Sequence, residues 1–463
     1  MQIAILSGIV GRSTPDLVRS HPTNLMPVVE AGDGTGTGIS KGYLRTPPGV
    51  RTMASAAGID RGGVNWNGVH LRVIGAALVK VSDNGTQTSI GSVGDDGRPV
   101  TFAVSFDRLA VASALGLYYY DGSTLTKVTD PDLGPVLSLT WQDGFFITTD
   151  GTSIVVTQLT DPTSVDPLKY GSSEADPDPI VGVLSQRSRL VGLNRYSIEF
   201  FNNQGGNGFP FAVSRGSQIP KGCVGPAAFT PFVETFAFVG SGRNEAPGVY
   251  LAGSGQGVPI SPRAVNIDLG KLTDAQLATV ECETRNAGGI TELLVHLPTV
   301  TWVYGWTSSQ QLDLPVWYRL ENYTPRHGTL VAGEWWVGAS GKIGVIDDGI
   351  AKVFDVAPRF AFDTPVLYNG GAGAIVHALE LVTLGGRAIG SDIPTVGLSY
   401  TDDGLAYSTE RVIETGRFGD RAVRPCWRRL GRMRNWRGFR FSGVANSPVA
   451  FSRLEATIEP LNA

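Results

Sequence analysis

Cysteine is scarce in this 463-residue chain, and the three present, Cys223, Cys282 and Cys426, are odd in number and far apart. Such a set offers neither a disulfide framework nor metal-ligand spacing, so reduced structural thiols are expected. Long apolar runs are missing too. No stretch approaches the roughly 20 residues that cross a bilayer as a helix, so no membrane-spanning segment is expected. The start, Met1 to Ser7, has neither a basic region nor an apolar core of signal-peptide length, which points to synthesis and folding in a reducing cytosol. Histidine is thin: His21, His70, His296, His327 and His377 are scattered, none at ligand spacing from another. The serine-hydrolase elbow, the His-Glu-x-x-His zinc motif and the Lys-bearing phosphate loop are all absent. Gly32 to Gly38 is glycine-rich but lacks the Lys of a phosphate loop and has no strand or helix pattern beside it. No catalytic, cofactor-binding or metal-binding residue is therefore assigned, no cofactor is expected, and the chain is read as not an enzyme.

Charge is also low, at 17% of residues, and lysine supplies only eight of the 38 basic side chains. A chain with 42% hydrophobic residues, 60 Gly and 28 Pro is folded and rich in tight turns, with a surface partly covered by neighbours. The turns punctuate short hydrophobic strands: Asn84-Gly85, Asp121-Gly122, Asp143-Gly144, Asp150-Gly151 and Asp348-Gly349. Asn or Asp before Gly suits a two-residue hairpin turn whose central residues both take positive φ. The strands fall into units at 64–81, 100–121, 136–156, 180–200, 228–251, 279–304 and, shorter, 329–346. Spacing of about 35 to 50 residues is that of propeller blades. The expected fold is all-β: a β-propeller of six or seven blades, residues 56–355, with stacked sandwiches or an open solenoid as the alternatives. Residues 1–55 are expected to be an extended arm packed on a neighbour or on the chain's own body. Residues 356–463 read as a second, sandwich-like β domain able to borrow strands from that arm. One helix start is legible, at Thr273, with Gln276 completing a capping box.

The strongest chemical feature is the stretch 424–440. Eleven arginines fall between Arg411 and Arg453. Within the stretch, Arg424, Trp427, Arg428, Arg429, Arg432, Arg434, Trp436 and Arg437 form the candidate interface. Arginine interleaved with aromatics suits an interface or a nucleic-acid contact, and the alternative is a strand pair with solvated charges. A net charge of −4 lacks the overall basicity of a dedicated DNA-binding protein, so a protein interface is the better reading. Asp347-Asp348 and Asp402-Asp403 read as turn residues, since neighbours on a strand face opposite ways.

Several segments, in order along the chain, carry a resemblance. Gly42-Tyr-Leu-Arg-Thr-Pro-Pro-Gly-Val50 follows Asn24-Leu-Met-Pro27, and Tyr196 to Phe200, Gly248 to Gln256 and Leu293 to Pro298 come next. Leu398-Ser-Tyr-Thr-Asp-Asp-Gly-Leu-Ala-Tyr407 and Trp427-Arg-Arg-Leu-Gly-Arg-Met-Arg434 with Gly438-Phe439 complete the set. Together they resemble the packaged-DNA stabilisation proteins of P22-like short-tailed phages over nearly the whole length. The resemblance implies a structural virion protein, the tail hub or nozzle, present as a homohexamer below the portal. The implied partners are further copies of the chain, the head-to-tail adaptor ring, a tail needle or plug, and tailspikes or fibres. Double-stranded DNA would pass through the channel without specific binding, and assembly would take place in the host cytoplasm. DNA sliding through a tube should not be held at its phosphates, so the arginine run is expected to engage protein carboxylates. The alternative is a non-catalytic partner- or carbohydrate-binding propeller outside a virion.

Overall fold

Short apolar strands alternating with turns fold the central chain into seven antiparallel sheets in the computed structural model, which describes all residues except 4, 7, 12–16, 30–41, 175, 254 and 462–463. The glycine-rich run 32–38 lies outside the described residues. The first blade takes the second half of the strand Gly49–Trp66 with Val69–Ile74, Ala77–Val81 and Gln87–Ser92. The second is Thr101–Val104, Leu109–Ser113, Gly116–Tyr120 and Leu125–Lys127, and the third Leu139–Gln142, Phe145–Thr149 and Ile154–Val156. Ile180–Gln186 opens the fourth, Phe229–Phe232 pairs into the fifth, and Glu281–Ala287 opens the sixth. The seventh is the hairpin Arg326–Val331 and Glu334–Asp347, completed by the first half of Gly49–Trp66. The opening strands of successive blades touch, the fourth and fifth blades meet through Arg189–Asn194 with Gly222–Cys223 and through Gly182 beside Phe229, and the seventh returns to the first, so the sheets close into a ring. The core lies between blades, as where Leu71, Val73 and Leu78 of the first meet Leu109 and Val111 of the second.

The turns obey local chemistry only in part. Asp143 and Gly144 both have positive φ, as the two-residue turn requires, and so do Asn67 and Gly68. At Asp121-Gly122 and Asp150-Gly151 only glycine is positive, and the Asp carboxylate instead accepts backbone N–H groups two and three residues ahead. Ala114-Leu115 and Arg187-Ser188 adopt the double positive φ with no glycine. The capping box at Thr273 and Gln276 is present on the helix Asp274–Leu277. Two further helices, Arg263–Gly270 and Trp306–Leu312, lack a capping side chain and carried no start signal.

The ring closes on the strand Gly49–Trp66, which runs unbroken through residue 55. Its first half pairs with the seventh blade from Gly49↔Asp347 to Ile59↔Ser340, and its second half with the first blade. Where it passes between them, the buried Asp60 carboxylate accepts from Arg72 Nε at 2.5 Å and Nη2 at 2.8 Å. His327, from the seventh blade, lies 3.1 Å from Asp60 through Nδ1, and its carbonyl accepts from Arg72 Nη2 at 2.9 Å. Burial opposes charge on His327, but the hydrogen bond to Asp60 and the Glu281 carboxylate, 3.5 Å from Nε2, outweigh it and raise the imidazole to about 9. Burial likewise opposes the Asp60 carboxylate, and Arg72 outweighs it and holds Asp60 below the usual range. Gly338 allows the approach: a Cβ there would sit 2.1 Å from the Asp60 carboxyl carbon.

Beyond residue 358 the chain builds a two-sheet sandwich. One sheet orders Cys426–Met433, Ala374–Thr383, Ala450–Pro460, Tyr43–Arg45 and Met26–Val28, and Gln2–Ile3 pairs with Ala450–Pro460. The other orders Arg359–Asp363, Trp436–Val444, Thr395–Thr401 and Arg411–Glu414. Between the sheets Phe362 stacks on Phe441 at 4.9 Å, and Trp427 meets Phe441 edge-on. The described part of residues 1–55 thus packs on the chain's own body. The same segment ties the two halves together. Thr23 bridges to Arg319 of the sixth blade and to Ala361 of the sandwich, while Asn24 Nδ2 donates to the Arg359 carbonyl at 2.6 Å. Met26 packs on Leu294, Val303, Tyr318 and Leu320 of the sixth blade. Arg45 of the first sheet pairs at 2.7 Å with Asp348, directly after the seventh-blade strand Glu334–Asp347, so the sandwich stands against blades six and seven.

Candidate assembly interface

The arginine-rich stretch folds as the adjacent strands Cys426–Met433 and Trp436–Val444, one in each sheet of the sandwich. Cys426–Met433 lies at a sheet edge and, among the described residues, pairs only with Ala374–Thr383. Its register slips between Ala378↔Arg428 and Val376↔Gly431, a bulge in which Arg429 and Gly431 take φ of 59° and 81°. Strict alternation is lost there. Arg428 and Arg429 face outward together, then Gly431 and Arg432, while Trp427, Leu430 and Met433 point into the core. Charge and a bulge on an edge strand also discourage uncontrolled strand addition.

The eight candidate residues fall into three groups. Trp427 and Arg437 are interior. Trp427 is fully buried and donates through Nε1 to the Arg411 carbonyl at 2.6 Å. Arg437 is 2% exposed, holds Asp402 with a two-pronged contact at 2.7 and 2.9 Å, donates to the Leu430 carbonyl at 2.7 Å, and stacks on Tyr400 at 4.0 Å. These two support the surface and do not belong to it. Arg424 is exposed and paired with Glu380 and, at 3.0 Å, Glu455; Trp436 is half-buried. Arg428, Arg429, Arg432 and Arg434 are exposed and make no ion pair among the described residues. The carboxylate engagement expected of the run thus holds inside this chain for Arg424, Arg437 and Arg440, and not for these four.

Two further arginines of the same run, outside the eight candidates, also contribute. Arg411, on the edge strand of the facing sheet, donates to the Arg428 carbonyl at 2.8 Å and so joins the two edges. Arg440 grips Asp363 at 2.7 and 3.2 Å and lies 4.2 Å over the Tyr407 ring. Burial pushes the Tyr407 hydroxyl up to about 12, with Asp363 adding to it. Arg440, Asp363, His21 and Arg319 line a mixed-charge cleft of about 730 Å³ between sandwich and sixth blade. Burial lowers His21 to about 4, so the ring is neutral there.

Nothing in the described residues gathers three metal-ligating side chains. Cys223 is buried and its thiol is pushed up to about 12 by that burial, which leaves no thiolate for chemistry. The arrangement presents a rigid, positively charged edge on a framework of aromatic packing.

Two family models together match nearly the entire chain. One, described as Bacteriophage P22 Gp10, beta-propeller, matches residues 1–351, and the other, described as Bacteriophage P22 Gp10, beta-sandwich, matches residues 359–459. The tail hub protein gp10 of Salmonella phage P22 is 28% identical to this chain over 451 residues, which is 91% of this chain and 92% of the relative. Among solved structures, the N-terminal domain of Nup159 aligns with 70% of this chain and 98% of its own at 10% identity and a TM-score of 0.42. The Neurospora crassa Pan2 WD40 domain aligns over 66% and 95% at 9% identity and the same TM-score.

Proposed function

This chain belongs to the bacteriophage P22 Gp10 family through both its propeller and its sandwich, and from that membership we propose that six copies form the hub of a short viral tail. Membership itself makes it a structural component of a virion tail. In the finer reading the hexamer forms a tube below the portal and adaptor ring, extends the DNA channel and stabilises the packaged genome. It also anchors the plug or needle and the spikes or fibres, and it assembles in the host cytoplasm. The observation that carries this reading is the collinear match to both domains, 28% identical across 91% of the chain.

The molecule's physical design agrees with such a role. Propeller and sandwich are joined at several points by residues 22–26, which suits a rigid wall element. A closed ring of identical chains needs two different surfaces per protomer, and the four unpaired arginines of the sandwich edge provide one. DNA passage calls for a wall without a strong phosphate site; the net charge of −4 agrees. The test is an image of the native particle together with its copy number. Six copies in a ring between adaptor and plug are expected. A chain that is monomeric and absent from the particle would overturn the reading in favour of a partner-binding propeller outside a virion.

A further inference from the structure

We propose that the arginine-rich edge of the sandwich docks on the acidic far side of the propeller of a second copy of this chain, a head-to-tail contact. The proposal rests on the tail-hub reading and names the surfaces through which copies meet.

Charge is segregated along the chain. Between residues 411 and 453 eleven arginines face two carboxylates, whereas between 95 and 178 thirteen carboxylates face four basic side chains. The fold turns this into a spatial separation. The basic segment lies in the sandwich, which stands against blades six and seven. The acidic segment spans blades two and three and the approach to blade four, and in a ring of seven these lie across from six and seven. Each protomer is therefore basic at one end and acidic at the other. Like ends repel, which disfavours a two-fold contact, and unlike ends attract, which favours the heterologous contact that closes rings.

The two surfaces also match in kind. At the sandwich edge, Arg428, Arg429 and Arg432 have no carboxylate of their own, and the facing strand Arg411–Glu414 adds Val412, 59% exposed. On blades two and three the turns at 105–108, 121–124 and 143–144 lie at one end of the up-and-down strands. The segment after Ile154–Val156 joins them, because the Tyr119 hydroxyl donates to the Pro162 carbonyl at 2.8 Å. That end carries Asp121, Asp143 and Asp161, exposed and without an ion pair among the described residues, beside Phe106, 93% exposed, and Leu159, 60% exposed. Exposed apolar side chains set among unpaired carboxylates make a surface for a basic partner that brings some apolar area, and the sandwich edge has that composition.

Charge reversal tests the contact on the full chain. One variant carries Arg428→Glu, Arg429→Glu and Arg432→Glu, another Asp121→Lys, Asp143→Lys and Asp161→Lys, and a third carries all six; all six sites are exposed, and melting curves confirm that each chain folds. Assembly is followed by sedimentation and native mass spectrometry at low salt, and by incorporation into particles. Each three-site variant should associate at least ~100-fold more weakly than the unchanged chain. The two variants mixed, and the six-site chain alone, should recover the ring. A three-site variant that assembles like the unchanged chain overturns the contact and leaves the tail-hub reading standing. So does a folded six-site chain that stays monomeric. Arginine reversal that removes binding to duplex DNA while the ring persists overturns it in favour of a nucleic-acid surface. If the unchanged chain forms no ring even in the particle, the tail-hub reading itself fails and takes the docking contact with it.

Discussion

The two ends of this chain meet twice, once in the propeller and once in the sandwich, and the two meetings are sealed in opposite ways. In the propeller, the first half of Gly49–Trp66 adds to the seventh blade through Thr52, Ala54, Ser55 and their neighbours, and the pairing slips twice. Small residues of mixed burial specify register weakly, because a one-residue shift does not move a strong apolar set to the wrong face. The seam is fixed instead by a buried ionic knot in which Asp60 holds Arg72 and His327 at once. In the sandwich, Gln2–Ile3 and Tyr43–Arg45 join Ala450–Pro460, more than 400 residues ahead, Met26–Val28 adds to Tyr43–Arg45, and Ile3, Leu25 and Leu44 are buried with Trp427, Phe441 and Leu454. At these pairings charge stays at the rim, in Arg424 with Glu455 and Arg45 with Asp348, and the buried Arg437 with its Asp402 lies in the other sheet. The contrast teaches that where apolar alternation leaves register open, one buried charge set can fix it, and where apolar side chains specify it, charge stays outside.

A matched pair of truncations puts the largest load on this contrast. Arg72→Ala leaves the buried Asp60 with His327 as its one remaining charged partner in the knot and should destabilise the propeller by about 3–5 kcal/mol. Trp427→Ala empties the centre of the sandwich and should cost about 3–5 kcal/mol there. Calorimetry of the two variants should show that each lowers the unfolding of its own half, since the sites share no partner. If Arg72→Ala leaves the melting curve unchanged, the knot is not what holds the ring closed.

The second test is pH, and the two seams should differ. His327 is raised to about 9, so its contribution is fully present below its ordinary value near 6.5 and is lost as pH rises through 9. His70, in the same seam, is lowered to about 3, chiefly by burial and then by Arg72, so it costs stability as pH falls below 6.5. Asp60 is held low, and its contribution is lost only when pH falls through its folded value. Propeller stability should therefore peak near 6.5 and fall by roughly 2 kcal/mol toward pH 9. His327→Gln should flatten that alkaline limb, while sandwich unfolding, followed by Trp427 fluorescence, stays level over the same range.

How much of this could be read in advance follows from the range of each signal. The seven-unit rhythm was legible because blade strands alternate within a few residues, and the capping box at Thr273 because its parts lie three apart. The turns at Ala114-Leu115 and Arg187-Ser188 were not, since their positive φ is imposed by the pairing of the flanking strands. The strands of two or three residues near the start are too short to show a period. Asp60 and His327 are 267 residues apart, and nothing local to either announces the other. For the candidate interface, the run of arginines was visible, but which of them face outward depends on a bulge set by the neighbouring strand.

Gly338→Ala tests the propeller seam more gently. The added methyl would fall on the Asp60 carboxyl, which is already fixed by Arg72 and His327, so the neighbour cannot yield without breaking the knot. A cost of about 1–3 kcal/mol in propeller stability is expected, with no change in the sandwich. Equal loss in both halves would mean that they unfold as one unit.

The smallest effect belongs to the charges at the rim of the sandwich. Arg424 binds Glu380 and Glu455 with its side chain 44% exposed, so water already screens both pairs and the long side chain loses freedom to make them. Arg424→Ala should change sandwich stability by less than about 1 kcal/mol, and high salt should erase most of that. The same salt should leave the Asp60–Arg72 contact intact, because both side chains are fully buried. Melting the unchanged chain and Arg424→Ala at low and high salt separates the cases. A loss of several kcal/mol at Arg424 would show that the sandwich, like the propeller, depends on charge to hold its two chain ends together, and the distinction between the seams would collapse.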